Sequence, residues 1–152
     1  MKKLILLAVI AIAANMVSAA SFKWQAAQIY ASDGTTLYSG DITLYCAEVS
    51  GWSMATTAAS GAVKAADTVF SSTSFVAGND YSFYFVIEDG GKSFTSASVS
   101  ASAQQSDTAT INFGTQKAAT QTASNWGAVP EPTSGILMLL GFAGLALRRK
   151  RA

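Results

Sequence analysis

Apolar and polar residues alternate with a period of two along several stretches of the chain, which predicts half-buried β-strands. The pattern is clearest in FKWQAAQIY, SASVSASA and TATINF, at residues 22–30, 96–103 and 108–113. In the first stretch Phe22, Trp24 and Ala26 share one face with Tyr30. In the second, Ala97 and the three apolar residues at positions 99, 101 and 103 lie opposite serines. Each stretch is expected to turn its apolar face towards one core.

Two further stretches, DITLYCAEV and YSFYFVIE at residues 41–49 and 81–88, are apolar on both faces. This pattern predicts central strands that are covered on both sides. The only cysteine, Cys46, lies in the first of them and is interpreted as a small core residue. Asp89, Gly90 and Gly91 follow the second stretch and predict a tight hairpin, because such residues tolerate positive φ.

Other parts of the chain are less regular. Val63, Ala66 and Phe70 recur at helical intervals, which favours one short helix from about Ala62 to Phe70. The polar residues 115–128 are predicted to form a linker. Strands separated by hairpin turns favour a mainly β fold, a small antiparallel β-sandwich-like domain at residues 21–114.

The N-terminal residues 1–20 have the layout of a secretory signal peptide, and we expect them to form a signal helix. MKK supplies a basic start, Leu4 to Ile12 form a short apolar segment, and small residues follow. We expect cleavage after Ala20, with Ala19 as the other candidate. An uncleaved N-terminal anchor helix is the alternative, although the apolar segment is short for a membrane span.

The C-terminal residues 135–147 form an apolar run of 13 residues. As a helix the run covers about 20 Å, against a hydrocarbon core of roughly 30 Å, and snorkelling basic side chains narrow the gap. A buried core helix is the alternative. The basic residues that follow are expected to stop export and to hold the C-terminus in the cytoplasm, because each costs about 3 kcal/mol to insert. These stop-transfer residues are Arg148, Arg149, Lys150 and Arg151.

Pro130 and Pro132 are expected to hold the segment before this helix extended. The sequence VPEP, a glycine-containing apolar run and the terminal RRKR together resemble the PEP-CTERM sorting signal of exported bacterial proteins, over residues 129–152. The resemblance implies that an exosortase recognises the motif and removes the tail. The residues it assigns to the sorting motif are Val129, Pro130, Glu131 and Pro132.

Composition excludes several classes of function. The chain has no histidine, one cysteine and no nucleotide-binding motif, so we expect no catalytic residues, no metal and no cofactor. Glu88 and Asp89 adjoin at a hairpin tip and are interpreted as a solvated turn, while a calcium site from turn carboxylates such as Asp33 and Asp80 stays open. Residues 21–128 contain four lysines and eight carboxylates, which argues against nucleic acid as a partner.

These observations predict an exported, non-enzymatic cell-surface or extracellular-matrix protein. It passes through an inner-membrane intermediate with a cytoplasmic C-terminus, and its partners are the membrane, through the C-terminal helix, and an exosortase. The alternative is a carbohydrate-binding or adhesive surface module, with extracellular polysaccharide as a candidate partner. Trp24, Trp52 and Trp126 are the candidate sugar-stacking residues, although Trp24 is better interpreted as a core residue.

Overall fold

A computed structural model describes residues 19–128 of the chain. Residues 1–18 of the predicted signal helix and the predicted transmembrane helix at residues 135–147 lie outside these residues. The last two residues of the predicted signal helix, Ala19 and Ala20, begin a β-strand instead. Within the described range, no helix is long and apolar enough to cross a membrane.

The described chain forms nine β-strands in two sheets and is mainly β, as predicted. The strands are β1 Ala19–Ala27, β2 Gly40–Cys46, β3 Ser53–Ala58, β4 Phe70–Val76, β5 Asp80–Asp89, β6 Lys92–Thr95, β7 Val99–Ser102, β8 Thr108–Thr115 and β9 Gly127–Ala128. Short 3₁₀ turns occur at Ala65–Asp67 and Ala123–Asn125. The smaller sheet has the order β4-β1-β8, and the larger has the order β3-β2-β5-β6-β9, with β7 also paired to β5.

Aromatic side chains from the two sheets form one core. Phe22 on β1 meets Phe83 on β5 edge-on, with ring centroids 5.1 Å apart. Trp24 stacks on Phe85 at 6.0 Å, and Phe113 on β8 meets the same Phe85 at 5.0 Å. Rings of this size bury large apolar areas, so these contacts supply much of the force that holds the sheets together.

One pair of neighbouring strands is parallel, which differs from the antiparallel arrangement predicted. β1 pairs with β8 in parallel, with Phe22 opposite Ala109 and Trp24 opposite Ile111, whereas β1 and β4 are antiparallel. A parallel pair needs a long crossover connection. Here the rest of the domain provides the connection, so no local turn signal in the sequence marks the pairing.

The two apolar stretches are central strands, β2 and β5, but each is covered on one face only. On β5, Phe83, Phe85 and Ile87 are buried, while Tyr84 and Val86 on the opposite face are half-buried. The hairpin after β5 is confirmed. Asp89 pairs with Lys92, and the two glycines between them have φ of 56° and 76°, the values that a two-residue loop of this type requires.

The predicted helix over Ala62–Phe70 is wrong. Only Ala65–Asp67 form a 3₁₀ turn, and Phe70 begins β4. Val63 bridges to Ala26, and the buried Thr68 hydroxyl accepts a hydrogen bond from the backbone N–H of Trp24 at 3.1 Å. The segment therefore follows the edge of β1, because contacts with the sheet outweigh its weak helical pattern.

The stretch SASVSASA keeps its predicted alternation only from Ser98 onwards. Ala103 is buried and Ser98, Ser100 and Ser102 are exposed. Ser96 is buried instead of Ala97, and it exchanges hydrogen bonds with the backbone of Phe85, at 2.9 and 3.0 Å. Ser96 thus stands where the chain leaves β6 and continues to β7 along the same edge of β5.

We predict that Phe83→Ala lowers the free energy of unfolding by about 3–5 kcal/mol, because it removes a fully buried ring and leaves a cavity. Urea unfolding measures the change. Thr110→Ser, at an exposed position of β8, is the control and is expected to change the free energy by less than about 0.5 kcal/mol. A loss of similar size in both variants would contradict the proposed core.

Candidate functional site

The sequence-predicted sorting residues Val129–Pro132 and the stop-transfer residues at 148–151 lie outside the described residues. The candidate cleavage residues Ala19 and Ala20 are the first two residues of β1, where Ala20 is buried. Ala19 and Ala20 pair with β4, whereas Phe22 and Trp24 make the aromatic core contacts of β1. Cleavage after either alanine therefore leaves these contacts in the mature chain.

The predicted linker at residues 115–128 packs against the β body instead of standing free. Gln121 is fully buried, and its side-chain amide accepts a hydrogen bond from the Tyr30 N–H at 2.9 Å and donates one to the Tyr30 carbonyl at 3.5 Å. Trp126 is buried against Phe94 with ring centroids 5.7 Å apart. The polar composition of the segment predicted a linker and gave no indication that Gln121 and Trp126 anchor it.

The same segment ends as a strand of the larger sheet. β9 pairs with β6, with Gly127 opposite Ser93 and Ala128 opposite Lys92. The Trp126 indole N–H donates to the Gln121 carbonyl at 3.1 Å and closes the turn before β9. Ordered contacts therefore continue to Ala128, the residue directly before Val129 of the predicted sorting motif.

The turn carboxylates are bound locally. Asp33 accepts hydrogen bonds from the Thr36 hydroxyl and from the N–H groups of Thr35 and Thr36. The hydrogen bond from the Thr36 hydroxyl is the main reason that the pKa of Asp33 falls to about 2. Asp80 accepts a hydrogen bond from the Ser102 hydroxyl. Residues 19–128 hold no group of three or more side chains suited to a metal.

The two carboxylates at the hairpin tip, Glu88 and Asp89, have different surroundings. Asp89 accepts a hydrogen bond from the Ser32 N–H at 2.8 Å. Glu88 is exposed on the outer face of the larger sheet, and it lines the same depression as Asp41. The Tyr38 hydroxyl donates to the backbone carbonyls of Asp41 and Glu88, at 2.8 and 3.2 Å. Burial, followed by the charge of Asp41, raises the pKa of Tyr38.

Cys46 is a buried free thiol, as predicted. Its Sγ lies 3.4 Å from a carboxylate oxygen of Glu48, which also accepts a hydrogen bond from the Ser82 N–H at 2.8 Å. That backbone hydrogen bond is the main reason that the pKa of Glu48 is lowered. Burial raises the pKa of Cys46, so its thiolate is disfavoured.

The three tryptophans do not form a common sugar-stacking surface. Trp24 and Trp126 are buried in the core. Trp52 is half-buried and rests on Phe70 and Phe75, with ring centroids 4.9 and 5.1 Å away. Trp52 lines a surface depression together with Tyr45 and Tyr84.

An aromatic pair that the sequence analysis missed lies on the outer face of the larger sheet. Tyr45 on β2 is directly opposite Tyr84 on β5, and their rings stack with centroids 5.4 Å apart and planes at 17°. Both side chains are half-buried. The signal was present in the alternation of both strands, but we interpreted their outer positions as covered.

Comparison with protein families identifies one matching region. Residues 128–151 match the PEP-CTERM protein-sorting motif. The match begins at Ala128, the last residue of β9. No match was found among curated proteins or among solved structures.

We predict that Trp126→Ala releases residues 121–128 from the sheet, because it removes the contact with Phe94 and the hydrogen bond to Gln121. Hydrogen exchange followed by mass spectrometry should show faster exchange at Tyr30 and at β9. Thr122→Ala, at an exposed position of the same segment, is the control and is expected to leave exchange unchanged. Unchanged exchange in Trp126→Ala would show that the segment is held by other contacts.

We also predict that Cys46 in the folded protein resists thiol reagents at pH 8, because it is buried and its raised pKa leaves little thiolate. The same reagent should modify Cys46 rapidly once denaturant unfolds the protein. Absorbance of the released chromophore measures both rates. Equal rates in the folded and unfolded protein would contradict an inert thiol.

Proposed function

The chain carries a PEP-CTERM protein-sorting motif at residues 128–151, and we propose that it is an exported, non-enzymatic protein of the bacterial cell surface or extracellular matrix. In this proposal an exosortase recognises Val129–Pro132 and removes the tail. The motif match is the observation that carries the proposal. The β body is then the part of the protein that reaches its destination.

The free-energy cost of moving charged residues through a bilayer supports an intermediate in which the tail stays in the membrane before cleavage. Four basic residues at 148–151 follow the apolar run, and moving all of them through a bilayer costs on the order of 10 kcal/mol. Export therefore stops with residues 135–147 in the membrane and the C-terminus in the cytoplasm. This intermediate holds the sorting motif just outside the bilayer, where a membrane-embedded enzyme can reach it.

The ordered body leaves little free chain around the motif. Strand pairing continues to Ala128, and the apolar run begins at Gly135. The six residues between them span at most about 20 Å when fully extended. The folded body accordingly sits close to the membrane surface while the tail is attached, and the enzyme has to bind the proline-bracketed segment within this gap.

The non-enzymatic assignment is supported by the groups that the chain offers. The sequence lacks histidine, the usual general base at neutral pH. Asp41 and Glu88, which line the same shallow depression, are both exposed. An acid–base pair normally needs one carboxyl group in an environment that keeps it protonated.

We expect the mature protein in the cell envelope to end near Pro132, without the apolar run and the basic residues. Intact-mass measurement of envelope-extracted protein tests this expectation. Glu131→Ala and the double variant Pro130→Ala/Pro132→Ala should accumulate with the tail attached. Thr122→Ala should be processed like the parent protein. Retention of Arg151 in the mature parent protein would overturn the processing step.

A further inference from the structure

We propose that the outer face of the larger sheet binds a polysaccharide without acidic groups. The proposed binding site consists of two shallow depressions separated by the stacked pair Tyr45–Tyr84. This inference goes beyond sorting and does not depend on it, because every residue involved belongs to the β body. We refer to this surface as the tyrosine face, defined by Tyr45, Tyr84 and the residues that line the two depressions.

The tyrosine pair is half-buried, so part of each ring faces the solvent. Cross-strand aromatic pairs stabilise a sheet modestly, and Tyr45 and Tyr84 do so here. However, each ring keeps part of its surface accessible, and Tyr45 lines both depressions. Rigid aromatic rings with a polar end supply contact area at a low entropic cost, which suits the apolar faces and hydroxyl groups of a sugar ring.

The first depression supplies hydrogen-bond acceptors. It has a volume of about 330 Å³ and is lined by Tyr38, Asp41, Thr43, Tyr45, Val86 and Glu88. Asp41 and Glu88 lie on neighbouring strands and line the same depression. Carboxylate oxygens accept hydrogen bonds, so a ligand rich in hydroxyl donors matches both groups.

The second depression supplies aromatic surface. It has a volume of about 300 Å³, and Tyr45, Trp52 and Tyr84 contribute to its lining. Trp52 lies at the end of the sheet and packs towards the core, against Phe70 and Phe75 of the smaller sheet, so only part of its ring is accessible. The two tyrosine rings therefore supply the stacking surface of this depression, and the carboxylates of the first depression supply the hydrogen-bond acceptors.

Charge and length select the kind of polysaccharide. Among the described residues, the outward positions of β2, β3, β5 and β6 include no lysine or arginine but several hydroxyl groups. Acidic sugars would face Asp41 and Glu88 without a compensating cation. The depressions extend along β2 from Asp41 to Cys46, about 17 Å at the rise of a strand, which fits an extended chain better than a single sugar.

Surface plasmon resonance on immobilised polysaccharides tests the proposal. The probes are dextran, laminarin and galactomannan as neutral chains, with alginate as the acidic comparison. The full chain is extracted in a detergent without a sugar headgroup, so that the detergent does not compete. We expect binding to at least one neutral chain and none to alginate. The affinity should change less than about twofold in high salt, because no charge pair carries the binding.

Substitutions separate stacking from other contacts. Tyr84→Ala should weaken binding by about tenfold or more, as expected for an aromatic anchor, while Tyr84→Phe keeps the ring and should bind within about threefold of the parent. Gln25→Ala, on the outer face of the smaller sheet, is the matched control and should bind unchanged. Circular dichroism verifies that each variant is folded.

Several results would overturn the proposal. Absence of binding to all three neutral chains is one, and preferential binding to alginate is another. Binding by Tyr84→Ala that equals the parent would show that the tyrosine face is not the site. A change in sedimentation caused by Tyr84→Ala, without a change in polysaccharide binding, would assign the face to contact between copies of the chain. Retention or loss of the tail in the mature protein affects none of these binding and sedimentation results.

Discussion

The contact between the inner faces of the two sheets is the constraint on which the rest of the structure depends. Phe22 and Trp24 on β1 meet Phe83 and Phe85 on β5, and the neighbouring aromatic rings extend this contact into one cluster. With the only cysteine of the chain free, no internal disulfide holds the domain together. Burial of these rings therefore has to offset the entropy lost when the chain folds.

The inner contact also fixes what the outer face presents. Successive side chains of a strand point to opposite faces. Because Leu44 and Cys46 on β2 point inwards, Tyr45 between them points outwards, and the same holds for Tyr84 between Phe83 and Phe85. The register between the strands then places the two tyrosines opposite each other. The tyrosine face is thus a direct consequence of how the core is packed.

Local patterns predicted those parts of the fold that local physics controls. The hairpin at Gly90 and Gly91 follows from backbone freedom, and the buried face of β1 follows from alternation. The parallel pairing of β1 with β8 joins residues far apart in the sequence, so no local pattern reports it. Likewise, the pairing of Gln121 with Tyr30 and the anchoring of Trp126 depend on surfaces that exist only after folding.

The functional features also divide into those set by local sequence and those that form only after folding. The sorting motif is a linear signal, so sequence alone was enough to identify it, and the family comparison confirms it. The tyrosine face combines residues from separate strands and required the structure. Sequence analysis considered tryptophans for sugar stacking because they are large, but Trp24 and Trp126 are used by the core. Tyr45 and Tyr84, by contrast, keep part of each ring at the surface.

The central claim is that the chain is an exported β body attached to a tail that remains clamped in the membrane until it is removed. Membrane topology tests this claim most directly. A reporter that fluoresces only in the cytoplasm, fused after Ala152 in cells that lack exosortase activity, measures on which side the C-terminus lies. The account predicts bright cells with the β body accessible to protease from outside the inner membrane. Dark cells, with the reporter outside the cytoplasm, would contradict it.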